Sequence, residues 1–239
     1  MPDVLVPKEI DAESALRLRD DVHEALAGVR SPVVLRGSTE CFCAGVSLHA
    51  VAAGGDPTAP VQAVADALED LLHARVPTIA VVEGPAVGGG VGLLAACDRV
   101  LATQGATFAL PELLYGLVPL VILPALRRRV DLARWTWLAL TGVARDAAEA
   151  RALGLVDEVV SPEALAGRLQ TTERLLARVD PTALASTRAH LLPRAELHAE
   201  LQRAVAATVA RLTDPGVRNA MATYLRDGQP PWVTLRRDP

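Results

Sequence analysis

The chain has 239 residues, 51% hydrophobic but only 3% aromatic, with a formal charge of −4. That composition supports a sizeable core of Leu, Val, Ile and Ala, and it lacks the basic excess that nucleic acid or an anionic membrane surface would require. No apolar run reaches membrane-spanning length without a charge or a proline, and MPDVLVPKEIDAES resembles neither a secretory nor an organellar leader, so a cytoplasmic protein is expected.

Residues 12–29 have helical periodicity, with Ala15, Leu18, Val22, Ala25, Leu26 and Val29 on one face. SPVVLRG (31–37) reads as a short buried strand and 38–48 as a loop. After the breaker GGDPTAP (54–60), a second helix carries Val61, Val64, Leu68, Leu71 and Leu72 on one side. The segment 76–84 is predicted to be a strand, Gly88 to Cys97 a helix, 99–103 a strand and 106–112 extended. Helices follow at about 120–130, 132–140 and 146–153, then a short strand at 155–160. Four more helices are predicted near 162–178, 182–192, 196–212 and 215–227. Alternating strands and helices argue for an α/β core over 1–160, followed by a helical region over 161–239. In the latter, Leu197, Leu201, Val205 and Val209 recur every fourth residue. That stripe suits either the chain's own core or a subunit contact.

Cys41, Cys43 and Cys97 are odd in number and lie among apolar residues, which favours reduced, buried thiols. Cys41-x-Cys43 has no neighbouring His or second Cys pair to complete a zinc site, so no metal is expected. His73 reads as a surface residue and Trp135 and Trp137 as core.

Two small-residue loops follow strands that end where α/β sheets place ligands: CFCAGVSL and PAVGGGVGL. One amide from each, beside a helix start, would make an oxyanion hole. Three glycines alone equally suit close helix–strand packing. As a phosphate cradle the run fails, because no Lys-Ser/Thr follows and the dinucleotide spacing is missing.

FCAG, EGPAVGGGVGLLAACD, FALPELLYGLVP and TGVARDAAEARALGLVDEVV occur in that order. The series resembles the crotonase superfamily, also called the enoyl-CoA hydratase/isomerase superfamily, over residues 12–230. The resemblance implies a β-β-α spiral core with a helical trimerisation layer, a trimer or dimer of trimers, acyl-thioester substrates and no separate cofactor. It assigns the oxyanion-hole amides to Val46 and Gly89. In the two-carboxylate hydratases of this family a Glu lies two positions after the glycine run, and here that position is Gly92. The second Glu, twenty positions on in the Pro-Glu step, is present as Glu112. Its apolar neighbours would desolvate a carboxyl and raise its pKa. A single carboxyl suffices to take an α-proton and return it, to a leaving β-hydroxyl in a syn dehydration or to the γ-carbon in an isomerisation. Where the family has Ala-Gly-x-Asp, this chain has Ala44-Gly45-Val46-Ser47, so any orienting bond from that Asp is in question. Asp98, in the family's Cys-Asp step, is expected to be structural.

GGGVGLLAACDRVLAT, LPELLYGLVPLVILPALRRRV and DPGVRNAMATYLRDGQPPW are similar to one branch, the dehydratases of polyketide β-branching. The bulky PLVILP (119–124) replaces a glycine-rich run of ordinary hydratases. This resemblance implies dehydration of a 3-hydroxy-3-methylglutaryl unit on an acyl carrier protein to a 3-methylglutaconyl thioester. A CoA-thioester hydratase or isomerase and a non-catalytic binding member are the alternatives. Candidates to meet the distal carboxylate are His49, Tyr115, Arg127, Arg128 and Arg129, and the arginines also suit an acidic carrier surface.

Overall fold

The computed structural model describes residues 2–228. The chain runs β1 (Asp3–Leu5), α1 (Ala12–Leu26), β2 (Val33–Arg36), α2 (Leu48–Ala52) and α3 (Thr58–Leu72). Next come β3 (Thr78–Val82), β4 (Ala86–Val87), α4 (Gly89–Ala96), β5 (Arg99–Thr103), β6 (Thr107–Ala109) and a 3-10 turn at Glu112–Tyr115. They are followed by α5 (Leu123–Leu126), α6 (Leu132–Thr141), β7 (Arg145–Asp146), α7 (Ala147–Ala152) and β8 (Glu158–Val160). Four helices complete it: α8 (Pro162–Leu176), α9 (Pro181–Leu191), α10 (Arg194–Thr213) and α11 (Pro215–Asp227).

Strands β1-β2-β3-β5-β8 form an all-parallel sheet in that order. A small second sheet has the order β4-β6-β7, with β4 and β6 parallel and β7 antiparallel. Every residue of the central strand β3, TIAVV, is buried, as expected of a parallel strand covered on both faces. On one face, α1 and α3 lie against the sheet. The side chain of Asp11 accepts from the Ser14 amide at 2.8 Å and starts α1, which buries Ala15, Leu18 and Val22. On the other face, Leu165 and Leu169 of α8 pack on Val34, Ile79, Val81 and Leu101.

The helix at 12–29 ends at Leu26, where Ala27 turns extended before Gly28 at φ 68°. One-turn α2 falls where the glycine-rich surroundings gave no helical period. The predicted 120–130 helix is shorter, Leu123–Leu126, with turns on either side. Pro119 supplies no amide donor there, and the amides of Arg128 and Arg129 tighten onto carbonyls three residues back.

The α10 stripe resolves in favour of the chain's own core. Leu197, Leu201 and Val205 are buried in the same cluster as the inner faces of α1 and α3, and Val209 packs at its margin. Exposed apolar side chains instead gather on and just after α6: Leu132, Trp137, Leu140 and Val143. Trp137 is therefore not core, whereas Trp135 packs against it. His73 is not simply a surface residue: its Nε2 lies 2.9 Å from the Leu192 carbonyl oxygen at the end of α9. Asp98 is structural. It accepts from the Thr78 amide at 2.8 Å and from the buried Arg188 at 2.6 Å, tying α9 to the sheet. The three cysteines are free and buried, and burial pushes the Cys43 and Cys97 thiols up to about 12. Among the described residues no helix is long and apolar enough to cross a membrane.

Candidate active site

The two small-residue loops come together at the start of α4. Gly45 has φ 78°, and a Cβ there would sit 2.9 Å from the Val87 carbonyl oxygen and 3.2 Å from the Gly89 nitrogen. Only a glycine in this left-handed conformation lets the strands of backbone approach so closely. The flanking groups are used: Ile10 donates to Gly45 O at 2.8 Å, and the Ser47 amide donates to Ile10 O at 2.9 Å. Between them, the Val46 amide has no acceptor among the described residues, and neither does the Gly89 amide at the first turn of α4. The free first-turn amide of Gly89 carries the positive end of the α4 dipole, and the Val46 amide on the facing loop is likewise an unpaired donor, so both suit a developing negative oxygen. Ser47 opens α2 without a side-chain capping bond.

Glu112 reaches this place from the 3-10 turn after Pro111. That turn is closed by Gly116 at φ 74°, whose carbonyl accepts from Arg211 Nε at 2.9 Å. Next to Glu112, Gly88 has φ 53° and ψ −114°, and its amide donates to Ala109 O at 2.9 Å. A Cβ on Gly88 would come within 2.8 Å of Glu112 Oε1, so the carboxyl lies directly over the glycine turn. The residue as a whole is half-buried, yet Oε2 is shielded and has no hydrogen-bond partner among the described residues. Burial raises the Glu112 pKa to about 7, where the carboxyl alternates readily between donor and acceptor of a proton.

Val46, Gly89 and Glu112 line one cavity of about 180 Å³, with Ile10, Val121 and Ile122 among its apolar walls. Gly92 is buried one turn into α4, and a Cβ there would lie 2.6 Å from Ile122 Cβ. The position of the missing carboxylate is thus filled by an aliphatic side chain from the PLVILP segment.

The other candidates lie elsewhere. Tyr115 does not line the cavity: its hydroxyl donates to that of Tyr224 at 3.3 Å, and the rings pack 4.8 Å apart. His49 is exposed on α2, outside the cavity lining. Arg127 makes a two-point ion pair with Glu200 at 2.6 and 2.7 Å. Arg129 donates to the Cys97 and Ala95 carbonyls at the end of α4 and pairs with Asp157 at 3.0 Å. Both guanidiniums are engaged within the chain, Arg129 in a largely buried position and Arg127 in an ion pair at the surface. Arg128 is exposed and forms no ion pair among the described residues.

Two lining residues were not visible in the sequence: Thr208 of α10 and Arg218 of α11. Arg218 donates to Leu212 O at 2.8 Å, Gly54 O at 3.2 Å and Gly55 O at 2.9 Å, pinning the glycine turn between α2 and α3. Only the Gly54-Gly55 pair hinted at a special backbone there, and nothing linked it to a residue 163 positions away.

The fold and the paired loops define a crotonase-type site, and sequence comparison agrees. The chain belongs to the enoyl-CoA hydratase/isomerase family, whose model matches residues 12–234. Among curated relatives, the carnitinyl-CoA dehydratase of Proteus mirabilis (strain HI4320) is 32% identical over 179 residues, 73% of this chain and 66% of the relative. A "Probable enoyl-CoA hydratase" of Rhizobium meliloti (strain 1021) is 34% identical over 164 residues, 66% of this chain and 64% of the relative. The chain thus spans just under two thirds of the length of these relatives. Among solved structures, the Bacillus subtilis protein pksH, named for polyketide biosynthesis as an enoyl-CoA hydratase, superposes with a TM-score of 0.82 at 23% identity, covering 93% of this chain and 90% of pksH. An enoyl-CoA hydratase/isomerase family protein of Silicibacter pomeroyi gives a TM-score of 0.72 at 28% identity, covering 85% and 94%.

Proposed function

We propose that the protein is a lyase that dehydrates a β-hydroxyacyl thioester through an enolate, with Glu112 as its only acid–base group. The observation that carries this reading is the Gly92–Ile122 contact: with Asp11 and Asp56, the other carboxylates on the cavity wall, accepting from Ser14 and Thr58, Glu112 is the carboxyl left without a partner beside the two free amides. Val46 and Gly89 N–H groups hold the thioester carbonyl oxygen, and negative charge grows there as the α C–H bond breaks. The Glu112 carboxylate takes that proton. The enolate then re-forms its carbonyl, the Cα=Cβ bond closes and the β C–O bond breaks. Glu112 returns the proton to the departing oxygen, so water leaves and the carboxylate is restored.

Within this class the preferred substrate is a 3-hydroxy-3-methylglutaryl group on an acyl carrier protein, giving the 3-methylglutaconyl thioester. Sequence likeness to the β-branching dehydratases and the polyketide name carried by pksH support it. A CoA thioester would present the same acyl end to the same groups. Isomerisation of an enoyl thioester is the second reading, since one shuttling carboxyl also serves it. The family's trimer, or dimer of trimers, is the expected assembly, and the exposed α6 side chains offer apolar surface for such a contact. The test offers hydroxymethylglutaryl groups on CoA and on carrier protein to the wild type and to Glu112→Gln, and follows loss of water by mass. Water loss that depends on Glu112 supports the reading; a wild type that shifts a double bond and loses no water supports isomerisation.

A further inference from the structure

One polar atom in the cavity has no part in the chemistry above. Thr208 stands in α10 one turn before Leu212, and both line the cavity. Its Oγ1 is shielded from solvent and has no hydrogen-bond partner among the described residues. A helical threonine ordinarily turns its hydroxyl back to the carbonyl four residues earlier. Thr136, Thr141, Thr171, Thr172, Thr187 and Thr213 all do so. The half-way case is instructive: Thr172 is buried, yet it is satisfied by Arg168 O at 2.9 Å. Thr208 forgoes that bond. A buried hydroxyl without a partner is costly, and native proteins keep such groups where something else comes to meet them. Among the described residues, the other orphaned side-chain polar atom on this cavity is Glu112 Oε2, which the proposed reaction uses.

We propose that Thr208 is a specificity residue, whose hydroxyl hydrogen-bonds an oxygen function, hydroxyl or carboxylate, carried by the acyl chain. The inference rests on the reading of this cavity as an acyl-thioester site, and it narrows the substrates to oxygen-bearing acyl groups over plain hydrocarbon ones. The walls around Thr208 explain why one hydroxyl matters. Leu212, Val61, Val64 and Leu117 offer no hydrogen bond, and the Arg218 guanidinium is already held by the Leu212, Gly54 and Gly55 carbonyls, so an acyl oxygen brought in here would lose its water and regain little without Thr208.

The experiment reads binding, not turnover. Pantetheine ketone analogues, with CH2 in place of the thioester sulfur, carry a butyryl, a 3-hydroxybutyryl or a glutaryl chain. They are titrated into Glu112→Gln protein with and without Thr208→Val, so that no water is lost during the measurement. The expected result is that at least one oxygenated chain binds more tightly than butyryl. Thr208→Val keeps the shape and removes the hydroxyl, and it should lower that preference about three- to tenfold. Thr208→Ser should retain it. The hydroxybutyryl and glutaryl arms show whether the partner is a hydroxyl or a carboxylate. Butyryl binding as tightly as both oxygenated chains would overturn the proposal, and so would an unchanged preference in Thr208→Val. Should Thr208→Val fail to fold, Thr208→Cys, similar in size and a poor donor, takes its place under the same criteria. A protein that dehydrates nothing yet shows the Thr208-dependent preference would sink the dehydration reading and keep this one. Glu112-dependent turnover with no effect at Thr208 would do the reverse.

Discussion

Ile122 occupies the space that any side chain on Gly92 would need, with its Cβ 2.6 Å from the ideal Cβ position. Adding a methyl to Gly92 gains about 1 kcal/mol of helix propensity, but it forces a branched side chain off its site at a cost of about 1–3 kcal/mol. Overpacking should win. Gly92→Ala is expected to lower the midpoint of denaturant unfolding, and Ile122→Ala alone to cost about 2–5 kcal/mol through the cavity it leaves. Because one change fills what the other empties, the double variant should lose less than the two losses added together. Strict additivity would show that the residues are not in contact.

On the proposed mechanism, the pKa of Glu112, raised to about 7 by burial, predicts a pH dependence of activity. The step needs the carboxylate first, so turnover should rise with pH through about 7 and level off above it. Glu112→Gln should reduce turnover by about 10²–10⁴-fold and remove that limb of the profile. A pH profile centred near an ordinary carboxylate value of about 4–5 would contradict the burial described.

The same shift makes Glu112 a burden on stability, with a definite sign. Its folded pKa, about 7, lies above the ordinary value of 4.5, so the neutral form is favoured in the folded protein. The benefit is complete below pH 4.5 and is lost as pH rises through about 7. Above that range the folded state bears a desolvated charge, at a cost on the order of 3 kcal/mol. Glu112→Gln should therefore melt at a higher temperature than wild type at pH 8 and show little of that gain at pH 4. Thermal melts at the two pH values compare them directly.

Gly45 holds the Val46 amide in place from a left-handed conformation at φ 78°. Gly45→Ala would be strained there, at about 1–2 kcal/mol, and its methyl would press on the Gly89 nitrogen. The protein should remain folded while the proposed turnover falls about 10²-fold or more, the usual cost of disturbing one oxyanion donor. Parallel measurement of melting temperature and kcat separates these effects, and a drop in stability with kcat intact would count against the amide's role.

The Arg188–Asp98 pair anchors α9 to the sheet, with Arg188 only 7% exposed. Asp98→Ala leaves that guanidinium buried beside carbonyl groups and without its carboxylate, and should cost about 3–5 kcal/mol. Denaturant unfolding measures it, and a loss under 1 kcal/mol would mean that the pair is solvated in solution.

Local pattern decided a good deal. The alternation of buried strands with amphipathic helices, the glycine run before α4 and the isolated Glu after Pro111 were all readable, because hydrophobic period and backbone permissiveness act within a few residues. The family's ordered motifs then placed Val46, Gly89 and Glu112 in one site. What the sequence left open depended on partners distant along the chain. Leu197 and Val205 looked as suited to another subunit as to their own core until α10 lay on α3. Arg127 and Arg129 looked available until Glu200 and Asp157 came within reach. Ile122, Thr208 and Arg218 carry no local sign of a site, because what each does is set by which distant segment folds against it.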